Sequence, residues 1–158
     1  MRVIGIDPGT GITGFGIIEA SGQSKKLVDA GVIRTEPHTP IEQRLETIHR
    51  ELSEIVADTK PEQAAVERLF FARNVTTAFA VSQARGVVIL TLQHAGLPIH
   101  EYTPLQVKMA MTGYGRATKQ QIQEMVRVML ALTDIPRPDD CADALAVALT
   151  HSHMMPLP

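Results

Sequence analysis

Apolar residues in the first part of the chain fall in short runs broken by turn residues, the pattern of strands rather than helices. Arg2–Asp7, Thr13–Glu19 and Leu27–Arg34 are three such runs. Short turns join them, which predicts an antiparallel meander. The period then changes: Ile41, Leu45, Ile48, Leu52 and Ile55 recur at spacings of four, three, four and three, the stripe of an amphipathic helix. "QAAVERL", Gln63–Leu69, reads as a short buried strand, Asn74–His94 as a helix with Asn74 as N-cap, and Leu97–Tyr102 as a further strand. Thr103-Pro104 opens another helix, because Thr caps and Pro suits the first helical position. After the loop "GYGRA", Thr118 and Gln121 form a capping box for a helix carrying Ile122, Met125, Val126, Met129 and Leu130. "IPRPDD" breaks the chain before a last helix, Asp139–His151. The predicted fold is α/β: a mixed central sheet, three antiparallel strands followed by parallel ones, with helices on both faces.

At 158 residues the chain has the length of one domain, taken as 1–158. Hydrophobic residues make up 44% and charged residues 20%, which suits a globular protein. No apolar run is long enough to predict a membrane span, and no leader is visible. The single Cys141 excludes an internal disulfide and suits a reducing cytoplasm. Net charge is −2, which by itself points away from nucleic acid. Its distribution reverses that. Between Arg68 and Lys119 stand six basic residues (Arg68, Arg73, Arg85, Lys108, Arg116 and Lys119) and one acid, Glu101, so the segment carries +5 inside an otherwise acidic chain.

The candidate chemistry lies in the carboxylates. Asp7 stands where the first strand ends, beside the tight turn Pro8-Gly9-Thr10-Gly11. Glu67 ends the strand "AAVE". Sites in α/β sheets collect at strand carboxyl ends, so the two acids converge if the first and fourth strands are neighbours. The last helix adds Asp139, Asp140 and Asp143. Asp140 with Asp143 and Asp139 with Asp143 share a face almost equally well, so spacing leaves both pairs open. The helix dipole accounts for acids in the first turn and less well for Asp143, a turn further in. Four clustered acids need a counter-charge, and hard oxygen ligands select Mg²⁺ or Mn²⁺. Two such ions activate water and stabilise a leaving 3′ oxygen in phosphodiester hydrolysis. His151-x-His153 is a weak metal motif, because that spacing puts the rings on different helix faces.

"IGIDPGTGITGFGII", "AAVERLFFARNVTTAFAVSQARGV", "EYTPLQVK" and "DDCADALAVALTH" together resemble the RuvC family of Holliday junction resolvases. The resemblance implies a ribonuclease H-like fold and a homodimer. It also implies symmetric nicking of four-way junctions with Mg²⁺, in recombination and repair. Carried residue by residue, it puts the metal-binding and catalytic acids at Asp7, Glu67, Asp140 and Asp143, selecting Asp140 over Asp139. It makes Lys119, and near it Lys108, neighbours of the scissile phosphate, with Lys119 the catalytic candidate. It gives Phe70 the role of a wedge in the opened junction. Strand alternation separates Phe70 from Phe71, leaving Phe71 to the core. Arg73, Arg85 and Arg116 are expected phosphate contacts, and the RuvA–RuvB branch-migration complex is the implied partner. Ala78, Val81, Ala84 and Val88 form a candidate helix–helix seam between protomers, with plain core packing equally open for any one of them. Two other readings compete: an ATP-binding phosphotransferase of the actin and Hsp70 superfold, which shares the "GIDPGTGITG" loop, and a non-catalytic junction-binding module.

Overall fold

A computed structural model describes residues 1–68 and 75–155. Five strands form one sheet: β1 (Arg2–Asp7), β2 (Ile12–Ser21), β3 (Ser24–Arg34), β4 (Gln63–Glu67) and β5 (Ile99–Tyr102). The helices are α1 (Ile41–Thr59), α2 (Val75–His94), α3 (Pro104–Thr112), α4 (Lys119–Met129) and α5 (Asp139–Met154). Strand order is β3-β2-β1-β4-β5. β1, β2 and β3 pair antiparallel, and β1–β4 and β4–β5 pair parallel, as the run of hairpins followed by helical crossovers predicts.

Strand alternation divides the core in two. Ile4, Ile6, Ile17, Ala64 and Val66 face α1 and α2, joined by Ile48, Leu52, Ala84 and Val88. Val3, Ile18, Ala65 and Tyr102 face the other way, toward α3, α4 and α5. Both predicted helix starts at Thr103 and Thr118 are capping boxes, with Gln106 and Gln121 as the reciprocal partners. Asn74 and Leu69 lie outside the described residues.

The α2 seam expected from Ala78, Val81, Ala84 and Val88 is corrected. Ala84 and Val88 are fully buried in the protomer's own core. The unpartnered apolar face is the opposite one, with Val75 81% exposed, Phe79 69% and Leu90 52%. Among the described residues α2 also has the length and apolarity of a membrane span, which the search for apolar runs did not anticipate. Here its buried stripe packs in the sheet core, and its Arg85 forms an ion pair with Glu101. Arg85 is therefore engaged within the fold and is not the free phosphate contact expected; Arg68 reaches the same carboxylate at 3.4 Å.

His151 is core rather than ligand. It is fully buried; its Nε2 lies 2.6 Å from Gln63 Oε1 and its Nδ1 2.8 Å from the Tyr102 hydroxyl. Because Gln63 Oε1 only accepts, Nε2 carries the proton and Nδ1 accepts from Tyr102. His153 is exposed on another face, so the two rings do not converge. Burial, with His100 beside it, pushes the His151 pKa down to about 4. Between that value and the 6.5 of the unfolded chain, the unfolded state binds more protons, so stability falls as pH drops through this window. The loss from His151 reaches up to about 3 kcal/mol near pH 4. Urea midpoints measured from pH 7 to 4 should decline more steeply in the wild type than in His151→Gln. Parallel curves would show that His151 takes up its proton without resistance.

Candidate active site

Period-two alternation sets the site's position. Val3, Gly5 and Asp7 of β1 point to one face, and β1 is in parallel register with β4 through Gly5↔Ala65 and Ile6↔Val66. Extending that register by one residue brings Glu67 beside Asp7, on the same face and at the carboxyl ends of both strands. α5 lies across this face. It can do so because the strands there present glycine: a Cβ on Gly5 would sit 2.1 Å from the Ala144 carbonyl oxygen, and one on Gly14 2.1 Å from that of Asp140. Gly16, paired with Gly5, makes room for Leu145 in the same way. With side chains absent, the helix backbone rests nearly on the sheet, and the Asp140–Asp143 turn is brought to Asp7.

The Pro8–Gly11 turn beside Asp7 is tied down from three sides. Thr13 Oγ1 donates to the Gly9 carbonyl at 2.7 Å, Thr35 Oγ1 donates to that of Thr10 at 2.6 Å, and Arg44 Nε donates to Thr35 Oγ1 at 2.8 Å. Gly9 is required, since a Cβ there would lie 2.2 Å from the Ile12 carbonyl oxygen.

The acids perturb one another as a cluster should. Burial first, then the charge of Glu67 and a hydrogen bond to it, then Asp143 and Asp140, push the Asp7 carboxyl up to about 8. Burial also raises Glu67, against the hydrogen bond from Asp7 that stabilises its carboxylate. The pair therefore resists double ionisation. Burial raises Asp143 as well, opposed by its hydrogen bond to Lys119. The Lys119 ammonium lies 2.9 Å from Asp143 and 3.9 Å from Asp139, and the bond to Asp143 holds its pKa above the usual lysine value.

Asp139 and Asp140 separate in three dimensions. Asp139 is bound at 2.8 Å by Arg137 Nη1 and does not figure in the field at Asp7; Asp140 does. Cys141, between them and Asp143, is buried, with its thiol pushed up to about 11 by burial and the adjacent carboxylates, so it is an unreactive packing group. Lys108 is half-buried on α3, and Arg116 is exposed in the loop before α4. Phe70, Phe71 and Arg73 fall outside the described residues.

The donor set fits a hard divalent cation: only carboxylate oxygens, partly buried, with one ammonium against four acids. No three His, Cys, Asp or Glu side chains among the described residues are already drawn to ligating distance. Lys119 pairs with Asp143, and the Asp7 and Glu67 carboxyl groups face each other closely enough to resist double ionisation.

The sequence profile described as "Crossover junction endodeoxyribonuclease RuvC" matches residues 3–151. The chain belongs to the RuvC family. A RuvC crossover junction endodeoxyribonuclease of Desulfitobacterium hafniense is 54% identical over 99% of this chain and 95% of its own length. One of Heliobacterium modesticaldum is 55% identical over 98% and 96%. Among solved structures, Thermus thermophilus RuvC in complex with Holliday junction substrate superposes with a TM-score of 0.92 at 40% identity, covering 97% of this chain and 93% of that one. The yeast mitochondrial resolvase Ydc2 shares the fold, with a TM-score of 0.68 at 12% identity. The RuvC fold thus extends over the sheet, all five helices and the carboxylate cluster. Sequence reasoning missed the glycine seat under α5 and the role of Arg137. The seat had a signal: Gly5, Gly14 and Gly16 lie on one strand face by parity, opposite the small-residue helix "CADALAVAL".

Proposed function

We propose that this chain cuts four-way DNA junctions by paired, symmetric, divalent-metal-dependent hydrolysis of phosphodiesters, as a RuvC-type resolvase in recombination and repair. The observation that carries this reading is the convergence of Asp7 and Glu67 with the Asp140–Asp143 turn, where burial and mutual repulsion hold carboxyl groups above their usual pKa. Such a cluster is costly without a cation, and its cost is relieved by one.

In this reading Asp7, Glu67, Asp140 and Asp143 hold Mg²⁺ or Mn²⁺, with two ions engaged during catalysis. Bound there, the ions supply a water of lowered pKa and neutralise the leaving 3′ oxygen. Asp7 and Glu67 would hold the ions as carboxylates, and Asp143, if it faced them, would leave the Lys119 ammonium free at the N-terminus of α4. Lys119 then faces the phosphate, where it stabilises charge that develops in the transition state. Lys119→Ala should slow nicking about 10²-fold at saturating DNA. Single-turnover rates with excess protein check this, and full recovery at high protein would reduce Lys119 to a binding residue.

The protein acts as a homodimer in this proposal, because two nicks in strands of like polarity need two related sites. The exposed face of α2, with Val75, Phe79 and Leu90, is the apolar surface available for it. Arg73, Lys108 and Arg116 contact phosphates, Phe70 wedges into the open junction, and the RuvA–RuvB complex delivers the substrate in the cytoplasm.

The test is a labelled four-way junction, a plain duplex and ATP, each with and without Mg²⁺. Paired nicks on the junction, dependent on Mg²⁺, are the expected result. Binding without nicking would leave a junction-binding module, and ATP hydrolysis would favour the phosphotransferase reading.

A further inference from the structure

Beside the carboxylate cluster lies a polar cavity of about 430 Å³, lined by Thr118, Lys119, Gln120, Gln123, Arg137 and Asp139. Its lining joins the start of α4 to the segment that leads into α5. α4 is eleven residues long and starts here. Thr118 Oγ1 caps the Gln121 N–H and the Thr118 carbonyl takes the Ile122 N–H, which leaves the Lys119 and Gln120 N–H groups open at the helix end. Gln123 is only 5% exposed, yet its side-chain amide makes no hydrogen bond with any described residue. Lining the cavity, that amide offers both donors and an acceptor to a ligand. Arg137, its side chain 71% exposed, uses Nη1 on Asp139 and has no other hydrogen bond among the described residues. Lys119 and Arg137 exceed the single acid of the lining, Asp139, by one positive charge. A ligand that suits this lining is rich in acceptors and anionic.

We propose that this cavity cradles a backbone phosphate of the cut DNA strand, next to the phosphate being hydrolysed. Gln123 and Arg137 are then positioning residues that fix the strand's register over Asp7 and Asp143. The inference rests on the junction-cutting reading above. Lys119 belongs to both sites, so an anion in the cradle lies immediately beside the cluster. Filling it also draws Lys119 and Arg137 off Asp143 and Asp139.

The probe is a four-way junction carrying single methylphosphonates, neutral replacements for one phosphate at a time, scanned along the cut strand. At one position flanking the scissile linkage, the substitution should slow wild-type nicking about fivefold or more. The same substitution should cost Gln123→Leu/Arg137→Gln less than about twofold, because the two changes remove the same contact. In metal-free buffer the double variant should bind the unmodified junction about tenfold more weakly. Its slope of log affinity against log salt should be shallower by about one. Gln123→Glu, which sets a carboxylate against the phosphate, should bind more weakly than Gln123→Leu, and Arg137→Lys should recover part of the loss. Melting temperatures identify any variant whose loss is merely structural, since a misfolded variant loses rate at every position alike. An unchanged methylphosphonate profile in the double variant overturns the cradle while leaving the junction-cutting reading intact. Competition by inorganic phosphate in the wild type, together with a methylphosphonate profile that the double variant leaves unchanged, would make this a free-phosphate site and overturn the cradle. A wild type that neither binds nor nicks junctions overturns both.

Discussion

Asp7→Asn should abolish junction nicking, by about 10³-fold or more, while leaving junction binding nearly intact and making the metal-free protein more stable. The last part follows from the sign of the Asp7 shift. Its pKa rises from 3.8 to about 8 on folding. Between those values the folded state binds more protons than the unfolded one, so its stability declines as pH rises from about 4 to 8. Asn keeps the shape and a donor toward Glu67 and removes the charge. The expected gain at pH 7.5 in chelator is about 2 kcal/mol, or roughly 4–8 °C at this chain length. Millimolar Mg²⁺ should raise the wild-type melting temperature and leave the variant's almost unchanged. Three measurements check the argument: melting in chelator, melting in Mg²⁺, and single-turnover nicking. Near wild-type nicking would remove Asp7 from the site. A variant less stable than wild type in chelator would show that the cluster is not strained at neutral pH. The trade expected here, stability given up for a loaded site, is common where like charges are gathered for function.

Gly14→Ala should impair both folding and cutting, although the added group is one methyl. The new Cβ would lie 2.1 Å from the Asp140 carbonyl oxygen and 3.2 Å from the Asp140 Cβ. Backbone cannot swing aside as a side chain can, so the first turn of α5 must lift from β2. Overpacking of this kind costs about 1–3 kcal/mol. The larger effect is on geometry. Gly14 is the register partner of Asp7, so lifting α5 here separates Asp140 and Asp143 from Asp7 directly. A displacement near 1 Å in a catalytic constellation costs about 10²-fold in rate. A higher Mg²⁺ concentration for half-maximal nicking, together with a lower urea midpoint, is the expected signature. If both stay at wild-type values, α5 is not seated on the glycines.

The chain's pattern by itself determined most of the architecture. The apolar run over Arg2–Asp7 and the short turns after it fix a meander, because connections as short as Pro8–Gly11 and Gly22-Gln23 only join antiparallel neighbours. The stripe from Ile41 to Ile55 fixes α1, and the capping chemistry of Thr103 and Thr118 fixes where α3 and α4 begin. These are local signals, carried by residues within a few positions of one another. Asp7 and Glu67 were legible as candidates for the same reason: each is a charge at the end of an apolar run.

Tertiary structure decided what depends on distant residues meeting. Spacing left Asp139 and Asp140 equivalent; only the packing of α5 turned Asp139 out to Arg137 and set Asp140 in the field of Asp7. Arg85 looked like a free cation in a basic stretch until β5 brought Glu101 to it. Ala84 and Val88 looked available to a second protomer until the sheet covered them and left Phe79 outside. Spacing already argued against His151 as a metal ligand, but only the fold showed that Gln63 and Tyr102, distant in sequence, take both its nitrogens. The glycines inside the first two strands carried no local signal of their own, yet Gly5, Gly14 and Gly16 are a floor for a helix more than 120 residues later in the chain. A sequence lists which groups can be polar, small or charged. Which of them are neighbours is a property of the sheet order and the helix laid across it, and the site's chemistry depends on those neighbours.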